Sequence, residues 1–232
     1  MSILYVVATP IGNLEDITLR ALRILKEVNI IAAEDTRQTK ILLNKYEITT
    51  PMTSYHKFNI RGKTQHLIDQ LNNGKTIALV TDSGLPAVSD PGYELISSAV
   101  VQGVRVEVIP GPSASLAALV GSGLPTEKFV FEGFLPKKPG KKRKVLEGLK
   151  ELPHTIIIYE SPFRVLKTLD EVQKILGERE VAVCRELTKK FEEIIRGKVG
   201  EVIEKLKDRV IKGEVVLVVA GLNKLLNGRG DS

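Results

Sequence analysis

Leu4-Tyr5-Val6-Val7-Ala8-Thr9-Pro10-Ile11-Gly12-Asn13 decides how this chain reads. A strand-length apolar run stops at a loop of proline and glycine, the pattern of a buried strand. Asp16 then stands where a helix cap is needed, and Ile17, Ala21, Ile24, Leu25 and Val28 recur at helical spacing. The alternation continues. Strands over Ile30–Ala33, Met52–Tyr55, Thr76–Thr81 and Val104–Ile109 are separated by helices over Thr36–Tyr46, Lys63–Asn73 and Tyr93–Gln102. Strands spaced by helices require crossover connections, so the first half reads as α/β with a mainly parallel sheet.

The Ala/Leu-rich segment Pro112–Gly121 reads as a helix, after which Gly121, Gly123 and Pro125 break the pattern. These breaks put a domain boundary there: a first α/β domain over 1–121, a second over 122–222, and a polar, flexible tail over 223–232. The second half has another rhythm. Strands Phe129–Phe134 and Thr155–Tyr159 alternate with helices near Arg143–Lys150 and over Phe163–Leu176. Val181–Arg185 and Glu193–Gly197 then follow with no helix between them, which predicts a mixed sheet. A helix over Val199–Arg209 and a strand over Glu214–Ala220 complete the domain.

Composition bounds the function. The 232 residues are 43% hydrophobic and 27% charged, an ordinary globular balance that excludes disorder as the main state. One cysteine, Cys184, excludes a disulfide framework and a multi-thiolate zinc site. His56, His66 and His154 show no metal-binding spacing, so no metal is expected. Apolar runs such as Val215–Ala220 are strand-sized, so no membrane insertion is expected. No basic segment precedes Glu15 and Asp16, so no signal peptide is expected and the setting reads as cytoplasmic. Net charge is +6, concentrated at 137–144 in Lys-Lys-Pro-Gly-Lys-Lys-Arg-Lys. Such a block is either a solvated loop or a phosphate-binding surface.

In open α/β sheets ligands bind beyond the carboxyl ends of the strands. Of the loops there, those over Ala8–Asn13, Asp82–Gly92 and Pro110–Ala114 are rich in glycine or proline, and Glu34-Asp35-Thr36-Arg37 is not. The first loop lacks the G-x-G-x-x-G of dinucleotide sites, and no Walker A or kinase pattern occurs. What remains is a ligand held by backbone and apolar contacts, an adenine and a ribose without phosphates to cradle.

The run Leu4–Leu14, Ala33–Arg37, Val80–Pro86, Asp90-Pro91-Gly92, Pro110–Ala114, Glu132–Pro136, Tyr159-Glu160-Ser161-Pro162 and Arg185–Lys189 resembles, in order, a branch of the tetrapyrrole methylase superfamily. That branch is the small-subunit ribosomal RNA ribose 2′-O-methyltransferase I family, and the likeness extends over residues 3–222. It implies two α/β domains with S-adenosylmethionine in a cleft between them, a homodimer, and methylation of a cytidine 2′-hydroxyl in 16S ribosomal RNA of the small ribosomal subunit. By position, the cofactor contacts it implies are Pro10, Ile11, Gly84, Leu85, Pro86, Ala87, Ser113 and Ala114, with Tyr159, Ser161 and Val215 from the second domain. Family members often carry a helical extension past the last strand, where this sequence stops soon after Gly221.

Methyl transfer from a sulfonium is an in-line displacement in which positive charge disappears, so positioning and a dry pocket matter more than an anion beside sulfur. A ribose hydroxyl must lose a proton, and a base within reach would help. His56, Glu186 and Lys189 are the catalytic candidates, with Glu34, Asp35 and Glu160 also near the expected edge. Arg37, Arg61, Lys137, Lys138, Lys141, Arg164 and Arg185 are candidates to bind RNA phosphates, though neighbouring Asp35 and Glu186 offer Arg37 and Arg185 structural ion pairs instead. Tyr55, Phe58, Phe134 and Phe163 could stack on an unpaired base. Two other readings stay open: a tetrapyrrole or other small-molecule methyltransferase on the same fold, and a non-enzymatic basic RNA-binding protein. The first would more usually carry G-x-G-x-G-D after the first strand, which is absent.

Overall fold

The computed structural model describes residues 2–222, so the tail expected over 223–232 lies outside the described residues. The chain divides into two compact units, one ending at Ser113 and the other beginning at Ala114.

The first unit runs β1 (Ile3–Val7), α1 (Leu19–Glu27), β2 (Ile30–Ala33), α2 (Thr36–Lys45), β3 (Met52–Ser54), α3 (Ile60–Asn72), β4 (Thr76–Val80), α4 (Tyr93–Val101) and β5 (Arg105–Ile109). Its sheet has the order β3-β2-β4-β1-β5, and every pair is parallel. Alternation along β4 feeds two cores. Ile77 and Leu79 join Leu4, Leu67, Leu71 and Leu95 on one face, while Ala78 and Val80 join Val7, Leu25, Ile31 and Leu42 on the other. The central strands β2, β4 and β1 are therefore covered on both faces, as a parallel sheet requires, while the edge strands β3 and β5 are more open.

Asp16 does not cap α1. It closes a single 3-10 turn, Leu14–Asp16, whose first backbone N–H groups are served by Asn13, and the side chain of Thr18 accepts the Ala21 N–H at 3.1 Å. Two capping residues in quick succession let the chain turn twice, and the second one starts the helix.

The second unit runs α5 (Ala114–Ser122), β6 (Phe129–Phe134), α6 (Pro139–Leu149), β7 (Thr155–Glu160), α7 (Val165–Leu176), β8 (Glu180–Arg185), β9 (Glu193–Lys198), α8 (Val199–Leu206) and β10 (Val215–Val219). The order is β6-β7-β10-β8-β9. Only β6 and β7 pair in parallel; the other pairs are antiparallel, so the sheet is mixed. β8 and β9 form the helix-free succession expected from the sequence. Helices α6, α7 and α8 close one core around Leu146, Leu169, Val202 and Leu217. Helix α5 belongs with this sheet, turning Ser115, Ala118, Leu119 and Ser122 inward. Small residues let it lie close, with the Cys184 thiol 3.8 Å from the Ala118 carbonyl. The unit division therefore falls before this helix and not after it.

The basic run is not a loop throughout. Helix α6 starts at Pro139, which occupies the first turn, where a missing N–H costs nothing. Lys142 faces inward and is 5% exposed, so a run of like charge hides one buried member.

Thr18→Ala is expected to lower unfolding stability by about 1 kcal/mol in a urea titration, whereas Asp16→Ala changes it by a few tenths at most. Equal losses would contradict this assignment of the cap.

Candidate active site

The loops after β1, β4 and β5 meet. The Thr9 N–H donates to the Gly84 carbonyl at 2.8 Å, and the Gly84 N–H returns a bond to the Thr9 carbonyl at 3.1 Å. The Thr9 hydroxyl adds a bond to the Thr81 carbonyl at 3.0 Å. Gly84 has φ +85°, and a Cβ placed there would stand 3.6 Å from Ile11 Cγ2 and 3.9 Å from the Pro112 carbonyl oxygen. At Gly111, a Cβ would come within 3.0 Å of Ala8 Cβ. Pro10, Ile11, Gly84, Leu85, Pro86, Ala87 and Ser113 thus belong to one loop cluster at one edge of the first sheet. Ala114 opens α5 and belongs to the second unit.

The loop after β4 holds its shape against local preference. Ala87 and Ser89 both adopt left-handed backbone, at φ +69° and +68°. Each costs of order 1–2 kcal/mol for a residue with a side chain and must be held by its surroundings. Gly92 secures the far end: at φ +148°, a Cβ there would sit 3.1 Å from both the Ala87 nitrogen and Leu79 Cδ2. Non-glycine residues held at positive φ cluster at functional sites.

An acidic rim flanks the cluster. The Asp82 carboxylate accepts the Asp35 N–H at 3.1 Å, and the Thr81 hydroxyl donates to Glu34 at 2.5 Å. Hydrogen bonds from the Arg37 guanidinium, and then the Arg37 backbone N–H, hold the Asp35 carboxyl down at about 2. Loss of water on burial pushes Asp82 up, and the charges of Glu34 and Asp35 add to that rise. Arg37 is bound to Asp35 but its side chain remains 88% exposed. Arg61 is exposed on the first turn of α3.

His56 follows β3 at the same edge. Its ring Nε2 lies 3.4 Å from the Asn59 amide nitrogen, and its buried Nδ1 has no hydrogen-bond partner among the described residues.

In the second unit, Tyr159 is the penultimate residue of β7, with its ring edge-on to those of Phe131 and Phe134, at 5.0 and 5.5 Å. The adjoining Glu160 carboxylate is fully buried and saturated. It accepts from the Ser161 N–H at 2.8 Å, the Thr168 hydroxyl at 2.6 Å and Arg164 at 2.8 Å. Arg164 also donates to the Leu135 carbonyl at 3.1 Å, so this guanidinium ties the loop after β6 to the loop after β7. Buried Lys142 completes the network, 2.6 Å from the Thr168 hydroxyl and 2.8 Å from Glu171.

Arg185-Glu186-Leu187-Thr188-Lys189 forms a strained turn beyond β8, with Glu186 at φ +51° and Thr188 at φ +64°. Lys189 donates to Glu186 at 2.9 Å and to Glu214 at 2.8 Å. Hydrogen bonding from Lys189 lowers the Glu186 carboxyl despite partial burial. Burial alone would lower Lys189, but the bonds it donates to Glu214 and Glu186 outweigh it and raise the ammonium, which stays charged. Gly213 makes room: at φ +84°, any Cβ there would overlap the Glu186 carboxylate. Arg185 pairs with Glu193 at 3.1 Å and not with its neighbour Glu186. Val215 is buried at the start of β10, one edge with Tyr159 and Ser161. Lys137 and Lys138 are exposed ahead of α6, and Lys141 is exposed in its first turn.

Residues 3–203 match the family Tetrapyrrole (Corrin/Porphyrin) Methylases. The chain belongs to this family. It is 54% identical over 218 residues to the ribosomal RNA small subunit methyltransferase I of Halalkalibacterium halodurans, covering 94% of this chain and 75% of that one. Over 221 residues it is 46% identical to the Thermotoga maritima protein of the same name, covering 95% of this chain and 99% of that one. Among solved structures, diphthine synthase matches with TM-score 0.72 at 14% identity, covering 94% and 89% of the two chains. Uroporphyrin-III-C-methyltransferase from Thermus thermophilus matches at 0.66 with 20% identity, covering 95% and 94%. These two share the fold. The protein is accordingly a methyltransferase, and methylases of this family use S-adenosylmethionine. Among the described residues no helix is long and apolar enough to cross a membrane, and no group of three or more His, Cys, Asp or Glu could hold a metal ion.

The Thr9 hydroxyl, the left-handed Ala87 and Ser89, and the Glu160 network escape sequence reading. Thr9 and Ala87 stand in loops already marked by glycine and proline, with no sign of their bonds or backbone shape, and Lys142 is hidden among exposed lysines.

Glu160→Ala leaves Arg164 and Thr168 without their buried acceptor. It is expected to cost about 3–5 kcal/mol in urea unfolding, the range for breaking a buried ion pair. A loss below about 1 kcal/mol would show that the network carries no such weight.

Proposed function

We propose that this methyltransferase transfers the methyl group of S-adenosylmethionine to the 2′-hydroxyl of a cytidine ribose in 16S ribosomal RNA of the small subunit. The observation that carries this reading is the bridge between Thr9 and Gly84, which joins two ligand-competent loops and sets Gly84 beside a third at Pro112. It stands in a chain about half identical to proteins named for ribosomal RNA methylation. A cytoplasmic homodimer, implied by the resemblance, belongs to the same proposal.

The loops suit the donor's chemistry. Ile11, Leu85, Pro86 and Ala87 are apolar, and Gly84 brings bare backbone close to Ile11 and the Pro112 carbonyl. Neither a lysine nor an arginine lies within these loops to call for a phosphate, and the rim of Glu34, Asp35 and Asp82 complements a cationic ligand. When bound, S-adenosylmethionine supplies a methyl group activated by a positively charged sulfur. Pro10, Ile11, Gly84, Leu85, Pro86, Ala87 and Ser113 would hold it in the first unit, and Ala114, Tyr159, Ser161 and Val215 are the candidates that the resemblance gives in the second. Rigid loops favour alignment, which dominates an in-line displacement.

The proton of the ribose hydroxyl needs an acceptor. Lys189 is held charged by Glu186 and Glu214, so it binds anions and does not accept a proton. The His56 Nε2 faces the Asn59 amide and its Nδ1 is buried, so neither ring nitrogen is open to the ribose. Glu186 is the anion of the three, but a carboxylate lowered by its lysine partner is a weak base. In this proposal it orients the hydroxyl, takes its proton late, as charge on sulfur is neutralised, and passes that proton to solvent. Arg37, Arg61, Lys137, Lys138, Lys141, Arg164 and Arg185 contribute to the RNA-binding charge in proportion to their exposure, with Arg164 the most committed to the fold itself.

Incubation with donor labelled in the methyl group and with small subunits or their RNA, followed by mapping of the modified nucleotide, tests the proposal. The expected product is one 2′-O-methylcytidine. Labelling of a porphyrin-like acceptor instead, or of no acceptor, would overturn it. Gly84→Val is expected to weaken donor binding at least tenfold by calorimetry, through strain at φ +85° and intrusion on Ile11.

The pH dependence discriminates among the groups. A lowered Glu186 remains ionised as pH falls through neutrality, so the transfer rate is expected to stay level from about pH 8 to pH 6 and to fall only in the acid range. A one-proton fall between about pH 8 and pH 6 would give the role to an imidazole.

A further inference from the structure

The six phenylalanines, Phe58, Phe129, Phe131, Phe134, Phe163 and Phe191, all lie outside the buried core, whose large side chains are leucine, isoleucine, valine and one tyrosine, Tyr55. Phe163 is 93% exposed and Phe191 67%. Burying such a ring is favourable, a gain the fold forgoes at Phe163 and Phe191.

Strand register puts several of these rings on one edge. Phe134 pairs with Tyr159, Glu160 with Val215, Val215 with Arg185, and Arg185 with Glu193. That line is the carboxyl end of β6, β7 and β8 and crosses the whole second sheet, about 19 Å at the usual strand spacing. Phe134 ends β6, Phe163 follows β7, and Phe191 lies between β8 and β9. Cations alternate with the rings. Lys137 and Lys138 follow β6, and Lys190 follows β8 with its ammonium 5.8 Å from the Phe191 ring centre. None of these three lysines has an acidic partner among the described residues.

We infer that this edge of the second sheet receives an unpaired RNA strand, with Phe163 and Phe191 stacking on its bases and Lys137, Lys138 and Lys190 holding its phosphates. The inference rests on the RNA reading proposed above and extends it to where the strand lies. Alternating rings and ammonium groups are what a single strand offers sites for: bases present faces, and the intervening phosphates present charge. A second copy of this chain fits less well, because protein interfaces are depleted in lysine.

Binding of a single-stranded oligoribonucleotide to the full chain, followed by fluorescence anisotropy at several salt concentrations, tests this. Phe163→Leu and Phe191→Leu keep apolar bulk and lose the aromatic face. Each is expected to weaken binding about fivefold or more, while Phe163→Tyr stays near the parent. The slope of log affinity against log salt stays the same in these variants, since no charge has changed, and becomes shallower in Lys137→Ala/Lys138→Ala. Parent-like affinity in both leucine variants overturns the inference. So does a change in sedimentation with RNA affinity intact, which gives the face to a second copy. If small subunits are methylated and both leucine variants still bind as the parent does, the edge assignment alone falls. If the parent binds the methyl donor but neither binds nor methylates RNA, the functional reading falls with it.

Discussion

Two backbone hydrogen bonds between Thr9 and Gly84 govern the arrangement of the first unit's loop edge. β1 and β4 are neighbours in the sheet, so their outgoing loops start side by side. Nothing in the sheet itself obliges those loops to stay together once the strands end. The reciprocal bond does so, and it demands left-handed backbone at residue 84, which glycine adopts without steric cost. With Gly84 drawn to Thr9, Ile11 and the Pro112 carbonyl come into range, and the loops after three strands share one place. The left-handed Ala87 and Ser89 downstream are consequences of the same anchoring, since the chain must return from Gly84 to the start of α4 within a few residues.

The second unit reaches a fixed edge by other means. Its loops are pinned by charge: Glu160 is buried at the end of β7 and gathers Ser161, Arg164 and Thr168, and Arg164 reaches across to Leu135. Buried charges are expensive unless every lone pair is used, and here the carboxylate is saturated. The Glu186–Lys189–Glu214 group does similar work beyond β8, with Gly213 giving the space. Hydrogen-bonded backbone in one unit and saturated ion pairs in the other both produce stiff loops. Stiffness is what a reaction governed by alignment asks of its protein.

Fold class was legible because periodicity reports burial directly. Ile77 and Leu79 against Ala78 and Val80 are the two faces of one strand, and the helix-free step from Arg185 to Glu193 reads as a hairpin. That Thr18 and not Asp16 caps α1 was not legible, because Asp is at least as good a cap and tertiary path decides which residue starts the helix. Nor was the affiliation of α5: an Ala/Leu-rich segment gives no sign of which sheet it covers. Glycine and proline marked the loops of the candidate site. The partners that hold them, Thr9 to Gly84 and Glu160 to Thr168, lie far apart in sequence or in an unmarked helix turn, and residue types alone do not pair them. Basic charge was visible as a block, but which of its members points inward depends on where α6 begins, and Pro139 sets that.

The central claim is that the loops after β1, β4 and β5 form one seat for the methyl donor. Backbone amide resonances followed by NMR during a titration with S-adenosylmethionine test it most directly. The account predicts that the largest shifts in the first unit fall together on residues 9–12, 83–88 and 111–113, saturating at one donor concentration. Shifts confined to one of these loops, or centred elsewhere in that unit, would contradict it.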